Sequence, residues 1–109
     1  MYTPVFLKTE NQLNKIIKQQ KRTRQELGIL YVSLWDAPSQ KLVKDIKEKL
    51  PTSETASKNS KQLFIVDSFT MPHAFVIFKT TKLPHLIQLK RRGVESEDYL
   101  SQVYHELGL

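Results

Sequence analysis

The chain contains no cysteine, and that one absence removes disulfide bonds, thiolate metal ligands and every thiol nucleophile. Glycine is scarce, three residues scattered among 109, so no glycine-rich loop is available to cradle a phosphate. No stretch approaches the roughly 20 apolar residues of a membrane-spanning helix. The opening Met1-Tyr2-Thr3-Pro4-Val5-Phe6-Leu7 lacks the cationic flank and the length of a secretory leader. A cytoplasmic chain with no integral membrane segment is expected. His73, His85 and His105 have no metal-ligand spacing, and Ser33, Ser39 and Ser68 no nucleophile-elbow context. Neither a metal nor another cofactor is expected.

Acidic residues are outnumbered, 11 against 17 Lys and Arg, for a formal charge of +6, which points to an acidic partner such as nucleic acid, an anionic membrane surface or an acidic protein. The cations fall in two runs. Lys15, Lys18, Lys21, Arg22 and Arg24 form the first; Lys79, Lys82, Lys90, Arg91 and Arg92 form the second. Beyond Gly93 the charges are Glu95, Glu97, Asp98 and Glu106, all negative.

A length of 109 residues and an ordinary apolar content describe one domain, residues 1–109, with a modest core. Pro4 to Lys8 is read as a first strand. Thr9 with Gln12 three residues later matches a capping box, and Leu13, Ile16 and Ile17 supply the apolar stripe of the helix it opens, with Leu27-Gly28 as the exit. Ile29 to Trp35 is almost continuously apolar, the pattern of a central strand buried on both faces. Asp36 then caps a second helix that tolerates Pro38 in its first turn. Leu42, Val43, Ile46 and Leu50 face the core, and Pro51 ends the helix.

Thr52 to Gln62 is polar and aperiodic, a surface loop. Leu63 to Val66 and Ala74 to Phe78 are expected to be strands. Leu86 to Leu89 is expected to be another, held at a sheet edge by Pro84. Ser96 precedes a last helix in which Leu100, Val103, Tyr104 and Leu107 share a face, with acidic residues in the first turn and Gly108 at the end. The order implies an α/β fold: a mixed central sheet flanked by helices.

This order, with three local motifs, resembles the thioredoxin family, whose active turn reads Trp-Cys-Gly-Pro-Cys between a central strand and a long helix. Here the turn is Trp35-Asp36-Ala37-Pro38-Ser39. Met71-Pro72-His73 stands where the family carries a cis-proline facing that turn, and Leu89 to Val94 looks like its fifth strand and glycine turn. The resemblance implies a thioredoxin-like fold in which the helix before the cis-proline strand is reduced or missing. Asp36 then occupies the position of the attacking thiol and Ser39 that of the resolving thiol. Neither side chain can form or exchange a disulfide.

Redox catalysis is excluded by atoms, and the chain is expected not to be an enzyme. The resemblance implies a groove formed by Trp35, Asp36, Ala37, Pro38, Ser39, Met71, Pro72, His73, Arg92 and Gly93, in which the Met71 backbone pairs with an extended peptide. The plainer account of Asp36 is a helix cap, and of Trp35 a core residue at a strand end. The preferred function is a redox-inactive adaptor or accessory subunit that holds another protein in a larger assembly. The alternative is a nucleic-acid-associated accessory protein using a basic patch of Lys15, Lys18, Lys21, Arg22, Arg24, Lys90, Arg91 and Arg92. That patch has little of the aromatic interleaving single-strand binders use. An enzyme with non-thiol chemistry at Asp36 and His73 is a third class.

Overall fold

The structure, a computed structural model, describes residues 2–33, 35–50, 61–68, 71–72, 83–97 and 99–109. The elements run β1 (Tyr2–Phe6), α1 (Glu10–Thr23), β2 (Leu27–Val32), α2 (Ala37–Lys49), β3 (Lys61–Asp67), β4 (His85–Lys90), β5 (Gly93–Glu97) and α3 (Leu100–Leu107). The five strands form one sheet in the order β1-β3-β2-β4-β5. β1, β3 and β2 are parallel, while β4 is antiparallel to both β2 and β5.

β2 lies at the centre because its sequence suits burial on both faces: every one of its residues is buried. Leu27, Ile29 and Tyr31 join Phe64, Val66, Ile87 and Leu89 against Leu13 of α1, with Ile16 and Ile17 packed around them. Leu30 and Val32 join Tyr2, Leu63, Ile65 and Leu86 against Leu42, Val43 and Ile46 of α2 and Val103 and Leu107 of α3. The two-residue alternation of a strand thus divides one run between two cores. Each fully buried aliphatic side chain contributes about 1.5–3 kcal/mol.

The helix starts follow local chemistry. The Gln12 amide donates to Thr9 Oγ1 at 3.3 Å, and Gln12 Oε1 accepts the Thr9 amide at 3.2 Å, the reciprocal pair of a capping box. α1 ends at Thr23, earlier than the expected exit at Leu27-Gly28. Arg24 adopts the left-handed conformation there, φ 56° and ψ 25°, and its amide donates to the Gln20 carbonyl at 2.7 Å. Gly28 sits inside β2, where a Cβ would lie 3.0 Å from Leu63 Cδ1 and 3.1 Å from Tyr2 Cε1.

Several expectations are corrected by the sheet. Pro4 is accommodated because β1 is an edge strand. Pro84 does not confine its strand to an edge: β4 is paired on both sides, and the proline precedes its first paired residue, so no ladder hydrogen bond is lost. Lys61 and Gln62 belong to β3, not to a loop. Ser96, Glu95 and Glu97 lie in β5, so no acidic residue occupies the first turn of α3, and Tyr99 at its N-cap makes no side-chain cap bond. The polar sequence of β5 is tolerated because it is an exposed edge strand whose pairing comes from β4. The rest of the expected loop, residues 52–60, and the strand Ala74 to Phe78 fall outside the described residues.

Candidate functional site

The turn after β2 carries the residues that the sequence singles out. Trp35 is 80% exposed, so it is not a core residue. Its amide donates to Ser33 Oγ at 3.3 Å, and the Asp36 amide donates to the Ser33 carbonyl at 3.0 Å, which fixes the backbone that presents the indole. Ala37 and Pro38 are exposed at the start of α2.

Asp36 is the N-cap of α2. One carboxylate oxygen, Oδ2, accepts the Ser39 amide at 3.2 Å and the Ser39 hydroxyl at 3.0 Å. Ser39 is fully buried. The pair is therefore self-satisfied: the hydroxyl is shielded from solvent and engaged, and the carboxylate answers an amide that the helix leaves without an intrahelical acceptor. The cap account of Asp36 is the one the geometry bears out.

Among the described residues the cis peptide bond lies at Leu83–Pro84, not at Met71–Pro72. Pairing of Tyr31 with His85 brings Leu83 and buried Pro84 to the Val32 end of β2, the end that leads into Trp35. Leu83–Pro84 thus holds the place that the sequence assigned to Met71–Pro72. Met71 is fully buried in the core beneath α1, its amide donating to the Asp67 carbonyl at 2.9 Å, and Pro72 is exposed. The inference of a reduced or missing helix counted back from Pro72 and loses that basis; residues 73–82, His73 among them, are outside the described residues.

Arg92 and Gly93 do not join the Trp35 turn. Leu89 pairs with Leu27 while His85 pairs with Tyr31, so the β4–β5 turn sits at the start of β2, the opposite end of the sheet. The six residues of β4 separate the two ends by roughly 20 Å. At that far end the basic patch is divided. Lys21 and Arg24 meet Lys90, Arg91 and Arg92 around one groove, and Arg24 Nη1 donates to the Arg91 carbonyl at 3.4 Å. Lys15, Lys18 and Arg22 line a separate depression on α1. Lys90 Nζ contacts Glu95 Oε2 at 2.9 Å, and this hydrogen bond is the main reason its ammonium is held above the ordinary lysine range. Among the described residues no group of three His, Asp or Glu side chains comes together, and no helix is long and apolar enough to cross a membrane.

The architecture is that of known thioredoxins. Thioredoxin O2 from Arabidopsis thaliana in the oxidised state superposes with a TM-score of 0.71 at 16% identity, over 96% of this chain and 94% of that one. Thioredoxin of Schistosoma mansoni gives 0.69 at 15% identity over 97% and 94%. The germline-specific thioredoxin Deadhead of Drosophila gives 0.65 at 14% over 95% and 96%. No family model and no curated protein sequence matches. The chain thus has a thioredoxin-like fold, a single α/β domain with a mixed five-stranded sheet, and it lacks the active-site cysteines.

Proposed function

We propose that this protein is a redox-inactive binding module, an adaptor or accessory subunit that takes another protein at the Trp35 end of its sheet. The observation that carries this reading is the exposure of Trp35, 80% in water on a turn tied back by two hydrogen bonds. An indole is the side chain that contributes most where an interface closes over it, and a fixed backbone lowers the ordering cost of doing so. Asp36 Oδ2 and the Ser39 hydroxyl are engaged with each other, which favours binding over turnover at these two positions.

The test is purification of the tagged chain after crosslinking in the cells that make it, with Trp35→Ala in parallel and nuclease treatment as control. A protein retained through nuclease and lost with Trp35→Ala supports the reading. An identical set of partners for both forms sinks it. Retention that disappears with nuclease, or binding to DNA whose affinity falls steeply with salt, would favour the nucleic-acid alternative, which the exposed cations of α1 support.

A further inference from the structure

The groove at the far end of the sheet combines two kinds of surface. Its volume is about 630 Å³. Ile17 from α1, Leu89 from β4 and Val94 from β5 give it an apolar floor, and Val94 remains 57% exposed. Lys21 and Arg24 stand on one rim, Arg91 and Arg92 on the other. Among the described residues the salt bridges are Lys61–Glu26 and Lys90–Glu95, so none of these four rim cations has a carboxylate within salt-bridge distance there.

We propose that this groove is a second docking surface, one that takes an acidic segment of a partner protein whose carboxylates meet the four rim cations and whose apolar side chains cover Ile17 and Val94 above buried Leu89. Charge complementarity selects the sign of the occupant. The apolar floor selects its kind: phosphates gain nothing from covering isoleucine and valine, and no aromatic side chain lines the groove for a base to stack on. A strip of carboxylates interrupted by Leu or Phe satisfies both surfaces together. The site is independent of the Trp35 turn, being at the opposite end of β4.

The experiment titrates 15N-labelled protein with a synthetic 12-residue peptide alternating Glu with Leu and Phe. Comparison probes are the same peptide with every Leu and Phe replaced by Ser, and a single-stranded oligonucleotide. Expected are amide shifts confined to the end of α1 and the β4–β5 turn and affinity about tenfold weaker for Arg91→Glu with Arg92→Glu and, separately, for Lys21→Glu. Val94→Ser should weaken the Leu/Phe peptide and leave the Ser peptide unchanged, and Trp35→Ala should leave both unchanged. The proposal is overturned by no localised shifts at millimolar peptide, by equal affinity for the Ser peptide, or by tighter binding of the oligonucleotide. It is overturned equally by self-association that Arg91→Glu with Arg92→Glu abolishes, which would make a second copy the occupant.

Discussion

The carboxylate of Asp36 accepts both the amide and the hydroxyl of Ser39, at 3.2 and 3.0 Å, so the two positions that carry thiols in the thioredoxin turn are here joined by hydrogen bonds. The substitution leaves a closed polar unit at the head of α2. It removes the redox chemistry and keeps the helix start.

Asp36→Ala should therefore cost about 1–3 kcal/mol, the loss of an N-cap together with a buried serine hydroxyl left without its acceptor. Urea denaturation followed by circular dichroism would read it. Asp36→Asn retains an acceptor for the Ser39 amide and should lose less. Equal stability of Asp36→Ala and the parent would show that the cap contributes nothing.

Restoring thiols tests whether only atoms were lost. The parent chain should leave insulin disulfides intact, having no thiolate to attack them. In Asp36→Cys with Ser39→Cys, the cysteine at the head of α2 should titrate below the free value of about 8.5, because the helix N-terminus favours its thiolate. The pH dependence of iodoacetamide labelling measures this. An unshifted titration would mean that the helix end exerts no useful field at this turn.

Alkaline stability should be limited by two tyrosines. Burial, then a 2.9 Å hydrogen bond donated to Asp45 Oδ2 and the charge of that carboxylate, hold the Tyr104 phenol up at about 12 against an ordinary 10.0. Burial pushes Tyr31 higher still. A raised phenol pKa means that the unfolded chain ionises first, so this stabilisation is full below pH 10.0 and is lost as pH rises toward 12. Tyr104→Phe should cost about 1 kcal/mol at neutral pH and show a shallower fall above pH 10. Denaturant midpoints taken from pH 8 upward would check both statements.

Gly28 should accept no larger residue without loss. A Cβ there meets Leu63 and Tyr2 side chains at 3.0 and 3.1 Å, inside the core beneath α2 and α3. Gly28→Val adds two further carbons, and about 1–3 kcal/mol of overpacking is expected. A thermal midpoint equal to the parent's would mean that Leu63 and Tyr2 yield freely.

Much of this protein is determined by sequence alone, wherever the cause is local. Thr9 and Gln12 specify the start of α1 because their hydrogen bonds span three residues. Asp36 and Pro38 specify the start of α2 in the same way, and the unbroken apolar run of β2 requires a strand covered on both faces. The loss of redox chemistry follows from composition, since no fold can supply a missing thiol.

Other features were decided only by tertiary pairing. Two X-Pro sites, at Pro72 and Pro84, both precede apolar runs and are equivalent as local patterns. Pairing of His85 with Tyr31 is what carries Pro84 to the Trp35 end, while Met71 goes into the core. Gly93 reads locally as a turn glycine and opens β5 directly after the turn at Arg91 and Arg92, but the antiparallel register of β4 on β2 sends that turn to the far end of the sheet. Lys21 and Arg24 meet Arg91 and Arg92 over Val94 by the same route. Register is a relation between segments distant in the chain, and no short stretch of residues encodes which end of the sheet it will reach.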